Sequence, residues 1–241
     1  TQTAVLTVTA GAVSAAQTTV AAAPAAISAD GASSTITVTV RDAKGNPIAG
    51  PTVVRAATGT GTTLTQPVGP TNASGVATGS VSSPVAEAKT VSATANGTAI
   101  TQTATVTVTP GTASFAQSTL TVSSATVASG SSITVTLRTR DAAGNALTTG
   151  GQGVAFWRLD GTSTGTFDAV VDHGDGTYTA AFTGIGAGTA ATLNATLNGN
   201  YLTSLVPTVT VTPGPASTER SVATTSAATV ASATTATFTL Q

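Results

Sequence analysis

His173 is the only histidine in the chain, and it stands in the stretch Val170 to Gly176 between Asp172 and Asp175. A histidine flanked by carboxylates has the makings of a general base, provided a nucleophile lies within hydrogen-bond reach and an acid orients the ring. No Gly-x-Ser-x-Gly elbow accompanies it. The Asp-Gly step beside it is the chemistry of a tight hairpin, so His173 is expected at an exposed turn.

Asp172 and Asp175 are also the best Ca²⁺ candidates, because a hard cation collects several oxygen ligands. The segment lacks the Asp-x-Asp-x-Asp-Gly spacing of a dedicated loop, and structural turn acids are the expected reading. Paired carboxylates for glycoside hydrolysis would have to come from Asp30, Asp42 and Glu87, or from Asp141, Asp160, Asp168, Asp172 and Asp175. They are scattered and read as solvated turn acids. Trp157 with Phe156 and Tyr178 could form a sugar-stacking platform, but with so few aromatics a hydrophobic core is the expected use. A Lys–Asn cross-link would need Lys44 or Lys89, since the second half of the chain has no lysine; Lys44 is expected to be solvated. The sequons at Asn72, Asn96 and Asn194 are near chance in a chain this rich in Thr and Asn. These residues point to no catalytic machinery, no cofactor and no metal beyond the two weak Ca²⁺ candidates.

Composition narrows the classes further. Eight basic and nine acidic residues give a net charge of −1, so there is no basic patch to neutralise phosphates and no nucleic acid is expected. No apolar run reaches the ~18 residues of a membrane span, and no insertion by this segment is expected. Cysteine is absent, which excludes a disulfide scaffold and a thiolate site. A surface of Thr, Ser, Ala and Gly with few charges suits an extracellular protein.

What positions these residues is a repeat. "TQTAVLTVTAGAVSAAQTTV" at Thr1 recurs as "TQTATVTVTPGTASFAQSTL" at Thr101, and "PTVTVTPGPAS" follows at Pro207. A period of about 100 residues matches one β-sandwich domain. Its phase places the last strand of a preceding domain at 1–10, one domain at 11–110, a second at 111–213, and the first strands of a third at 214–241. Within each unit, strict alternation marks half-buried strands: Ile36, Val38 and Val40 share one face, as do Ile133, Val135 and Leu137. Tyr178, Ala180 and Phe182 form another such face, and Leu193, Ala195 and Leu197 mark a further strand. "FWRL", from Phe156, reads as a core strand. The fold class is therefore all-β, in tandem immunoglobulin-like sandwiches.

"VRDAKGNPIAG" from Val40 returns as "TRDAAGNALTTGG" from Thr139. Asp42 and Asp141 suit an Asx turn, the Gly-Asn pairs suit left-handed φ, and Pro47 fixes the exit of the first copy. The expected role is a turn signature, with the arginines on the outer side of their strands.

Together with "TNASGVATGSVSS" from Thr71, this turn resembles the bacterial immunoglobulin-like group 1 repeats of invasin- and intimin-type adhesins. The second unit departs from that pattern with "DHGDGTYTAAFT" from Asp172, closer to invasin-type and filamin-like variants. The resemblance implies a non-catalytic stalk or spacer of a bacterial cell-surface or secreted adhesin. Its partners would be neighbouring Ig-like domains or other copies of itself, with any host or surface ligand bound by a domain elsewhere. The alternative is a repeating subunit of an extracellular filament, sheath or virion decoration, completed by strand exchange between copies.

Overall fold

The computed structural model describes residues 2–240, and it is built from β-strands joined by turns. Domain 1 contains β1 (Thr19–Ala23), β2 (Ala26–Ser28), β3 (Ser33–Thr39), β4 (Val53–Ala57), β5 (Thr63–Thr65), β6 (Val76–Ser82), β7 (Ala88–Ala95), β8 (Thr98–Ala99) and β9 (Ala104–Thr109). One sheet has the order β1-β3-β6-β5; the other has β2-β9-β7-β4, with β8 beside β7. All pairings are antiparallel except β2 with β9, which is parallel. The short Ala23-Pro24-Ala25 crossover between β1 and β2, with a cis Ala23–Pro24 bond, moves the chain from one sheet to the other.

Domain 2 repeats the plan. It contains β10 (Thr119–Val122), β11 (Thr126–Ala128), β12 (Ser132–Arg138), β13 (Val154–Arg158), β14 (Thr164–Phe167), β15 (Val171–Asp172), β16 (Thr177–Gly186), β17 (Ala191–Leu197), β18 (Asn200–Tyr201) and β19 (Thr208–Thr212). Its sheets run β10-β12-β16-β14 and β11-β19-β17-β13. A final hairpin, β20 (Ala223–Thr225) with β21 (Phe238–Leu240), repeats the β1–β3 pairing and stays exposed.

Period-two alternation drives each sandwich, because inward side chains from two facing sheets form one core. In domain 1, Ile36, Val38 and Val81 of one sheet pack with Val91, Val106 and Val108 of the other. In domain 2, Val135, Leu137, Tyr178 and Phe182 meet Phe156, Leu193 and Leu197. Phe167 stacks on Phe156 at 5.9 Å and meets Phe182 at a tilt, 5.0 Å between ring centroids. Domain 1 has no aromatic residue at all. Two charged side chains supply bulk instead: Arg55, 2% exposed, and Lys89, 0% exposed. Arg55 pairs with Ala93 just as Phe156 pairs with Ala195, so the guanidinium stem takes the place of a phenyl ring. It donates to the carbonyls of Ile36 (3.1 Å) and Thr65, while its Nε lacks a partner. Burial lowers its pKa. Lys89 donates to the Thr60 carbonyl and to Glu87, each at 2.5 Å.

One expectation changes: Trp157 is not in the core, since it alternates outward from Phe156 and is 47% exposed. Of the segment 1–10, expected as the last strand of a preceding domain, Gln2–Ala10 pair with neither sandwich of this chain, and Leu6 and Val8 stand exposed; Thr1 lies outside the described residues.

Candidate functional site

The repeated Arg-Asp turn follows β3 in domain 1 and β12 in domain 2, at the pole where each domain receives the incoming chain. Asp42 is buried, and its Oδ1 accepts the N–H groups of Lys44 and Asn46, each at 2.9 Å. Its Oδ2 accepts the Asn46 side-chain Nδ2 and the Gly11 N–H, also at 2.9 Å. Asp141 repeats the pattern with Ala143 (3.0 Å), Asn145 N–H (2.8 Å), Asn145 Nδ2 (2.7 Å) and Gly111 N–H (2.8 Å). An ionised carboxylate offers about four acceptor sites, and four donors fill them. Gly45 and Gly144 sit at φ of 84° and 88°, the left-handed conformation that lets the turn close. The half-buried Arg41 and Arg140 each donate to that glycine's carbonyl, at 2.7 and 2.8 Å, and not to the aspartate.

The donors control the charge. The Asn46 side chain, followed by the Gly11 and Asn46 amides, holds the Asp42 carboxyl far below the usual carboxylate range. Burial pushes Asp141 up, but the hydrogen bonds from Asn145, Gly111 and Ala143 outweigh it and leave the net shift downward. Both turns are anionic at neutral pH and are neutralised locally by N–H dipoles rather than by a cation.

Between the domains the same turn does something further. Asn145 Nδ2 donates to the Pro84 carbonyl of domain 1 at 2.7 Å, and its Oδ1 accepts the Ala86 N–H at 3.0 Å. One carboxamide thus offers the loop between β6 and β7 the donor and acceptor that a neighbouring strand would offer. The linker is held as well. The Gly111 N–H goes to Asp141 of domain 2, and the next amide, Thr112, goes to Asp30 of domain 1 at 2.8 Å. Adjacent peptide groups are therefore fastened to opposite domains. Gly111 is required there for space, since a Cβ would overlap the Asp30 carboxylate. These contacts form a joint between the two domains.

Of the carboxylates expected as solvated turn acids, Asp42 and Asp141 are instead buried in these turns and Asp30 holds the linker; the other residues singled out for chemistry lie elsewhere and do not converge. His173 Nε2 contacts the Thr179 hydroxyl at 2.9 Å on an exposed edge. Asp172 makes no hydrogen bond to that ring; its oxygens accept the N–H groups of Gly151 (2.7 Å) and Gly174 (2.8 Å). Asp175 accepts the Thr177 N–H at 2.9 Å. The two Ca²⁺ candidates thus serve turn amides, and among the described residues no three acids or histidines gather as metal ligands. Phe156 and Tyr178 point inward while Trp157 points outward, so the three share no platform. Lys44 is exposed in its turn, and Lys89 meets Thr60 and Glu87. The cleft of about 480 Å³ beside the linker, between Pro110, Phe115, Leu147 and Gln152, is lined by no ionisable side chain. Sequence reasoning missed Asp30, Asn145 and the Pro84–Ala86 loop as a functional set.

The sequence pattern of the invasin domain 3 family matches the chain twice, over residues 14–111 and 114–214. No curated protein sequence matches it significantly. Among solved structures the chain is similar to FdeC, an Escherichia coli adhesin, at 28% identity and a TM-score of 0.68, covering 97% of this chain and 76% of that one. It is similar to InvD of Yersinia pseudotuberculosis at 29% identity and a TM-score of 0.59, covering 87% and 62%. Invasin, a bacterial integrin-binding protein, aligns at 26% identity and a TM-score of 0.57, covering 84% of this chain but only 41% of its own. The two matched segments coincide with the two sandwiches and meet at the linker just described. The chain belongs to the invasin domain 3 family, as two tandem immunoglobulin-like domains of adhesin type.

Proposed function

We propose that this chain is a non-catalytic spacer within a bacterial surface or secreted adhesin, and that its task is to hold a fixed angle between successive domains. The observation that carries this reading is the joint: Asn145 bridges Pro84 and Ala86, and Asp30 and Asp141 fasten adjacent linker amides. A flexible tether needs none of these contacts. The adhesin relatives support a surface or secreted setting; in this reading any host ligand is bound by another domain. A second reading, assembly between copies, draws on the exposed apolar side chains of Leu6, Val8, Phe238 and Leu240, which resemble strand faces lacking a sheet.

The test uses the absence of cysteine. Spin labels on cysteines at the exposed, equivalent positions Thr35 and Thr134 report the inter-domain distance. A single narrow distribution is expected; a broad one removes the spacer reading. Sedimentation velocity across a range of concentrations separates the second reading: growth beyond the monomer favours assembly.

A further inference from the structure

Domain 1 carries the same turn as domain 2, but its outward half is empty-handed. Asn46 is fixed by Asp42 as Asn145 is fixed by Asp141. Yet Asn46 Oδ1 and the second Nδ2 hydrogen meet no partner among the described residues, whereas in Asn145 both are used. Exposure follows: Asn46 and Gly11 are exposed, Asn145 and Gly111 half-buried. The carboxamide is therefore held in position at the pole of domain 1 without the contacts that domain 1 itself gives to Asn145.

A second, independent observation identifies the occupant. Gln2–Thr9 repeat Gln102–Thr109, which contain β9. In β9, Val106 and Val108 are 0% and 3% exposed; their counterparts Leu6 and Val8 are 88% and 86% exposed. These residues have the pattern of a last strand, one that would lie parallel to a β2-like strand and antiparallel to a β7-like strand in another sandwich. Such a sandwich would bring its own β6–β7 loop to the pole, as domain 1 brings Pro84–Ala86 to Asn145.

We propose that the Asp42–Asn46 turn is a docking cleat for another immunoglobulin-like domain of this family. Asn46 takes a backbone carbonyl and the N–H two residues on from that domain's β6–β7 loop, while Ala4–Thr9 complete its sheet. This rests on the spacer reading and extends it: the turn is a reusable coupling, one per domain, that sets the angle at each junction.

The experiment adds a copy of residues 14–110 directly ahead of Gly11 in the full chain, recreating the junction with Pro110 next to Gly11. Spin labels at Thr35 of the added copy and Thr35 of domain 1 read the new joint; labels at Thr35 of domain 1 and Thr134 read the native one. The expected result is two narrow distributions, with Asn46→Ala broadening only the new joint and Asn145→Ala only the native joint. A broad new joint beside a narrow native one overturns the cleat and leaves the spacer reading standing, as does a narrow new joint indifferent to Asn46→Ala. Two broad joints overturn both.

Discussion

Replacing Asn145 with Ala should loosen the two domains without unfolding either. The substitution removes two inter-domain hydrogen bonds, to the Pro84 carbonyl and from the Ala86 N–H, and one intra-turn bond to Asp141. A net 0.5–1.5 kcal/mol per bond gives about 1–3 kcal/mol of lost coupling. Because the site is half-buried, the orphaned Pro84 and Ala86 groups recover water, and the middle of that range, about 2 kcal/mol, is appropriate. At about 1.4 kcal/mol per factor of ten, the docked population falls by roughly thirty-fold relative to the undocked one. Asp30 and Asp141 still hold the linker amides, so the chain does not become a free tether; it becomes a hinge.

The assay is the Thr35–Thr134 distance distribution, and the molecule supplies its own control. Asn46→Ala removes the matching bond to Asp42 but no contact with domain 2. It should lower the melting temperature of domain 1 while leaving the distribution unchanged. Asn145→Ala should broaden the distribution beyond what Asn46→Ala does. Identical, narrow distributions for all three chains would refute the assignment of the coupling to the carboxamide.

Three further outcomes follow from the cores and the charges. Lys89→Ala should cost domain 1 about 2–4 kcal/mol in urea unfolding, because it empties a fully buried stem; Lys89→Met, which keeps the volume, should cost less than about 1.5 kcal/mol. Gly79→Ala should destabilise domain 1 by roughly 3 kcal/mol, since a Cβ there would overlap the Arg55 guanidinium and the Thr65 carbonyl. Adding Arg55→Phe to that variant, which copies the Phe156 and Ala180 pair of domain 2, should recover the part of the loss caused by the guanidinium but not the part caused by the Thr65 carbonyl; strict additivity in a double-mutant cycle would contradict the shared site. Thermal melts against pH should show a plateau with two flanks. The carboxyls of Asp42, Asp141, Asp160, Asp172, Asp175 and Glu87 lie below their ordinary values, so their contribution is complete above about pH 4–5 and is lost as pH falls. Burial raises Tyr178, so its contribution is complete below about pH 10 and is lost as pH rises further.

The strands were legible because alternation is a local signal with a single physical cause. Ile36, Val38, Val135 and Leu137 are buried in the register their spacing implies. The same rule, applied without exception, also places Arg55 beside Val53, and Lys89 beside Val91, Ala93 and Ala95, on inward faces. Composition argues the other way, since charged residues are rarely fully buried, and Lys89 was weighed only as a cross-linking lysine. In an aromatic-free core built from Val and Ala, a long aliphatic stem is the available volume, and carbonyl oxygens can hold its charged tip. Trp157 is the converse case. Aromatic scarcity argued for the core, alternation from Phe156 argued for the surface, and alternation prevailed because a strand cannot bury both faces when one meets solvent.

The joint was illegible for a different reason: the local explanation of its residues was already sufficient. Asp, a positive-φ Gly and an Asx-type acceptor make a complete turn, so nothing in "RDAAGNAL" demanded a second role. The Asn is the residue that exceeds that need. A turn closed by the Asp141 Oδ1 contacts does not require the side chain of Asn145, only its N–H. Its carboxamide becomes necessary once the short linker brings the pole of domain 2 against the β6–β7 loop of domain 1. Ala146 in place of Pro47 leaves this intact, because the carboxamide and not the exit residue makes the contact with domain 1. Asp30 follows the same logic: isolated in sequence it is one more solvated acid, and it gains a partner only because Thr112 lies one residue beyond an amide that Asp141 has already taken. A stiff junction needs neither a large interface nor a rigid linker sequence if consecutive peptide groups are bound by different bodies, because each then restrains the rotation the other leaves free.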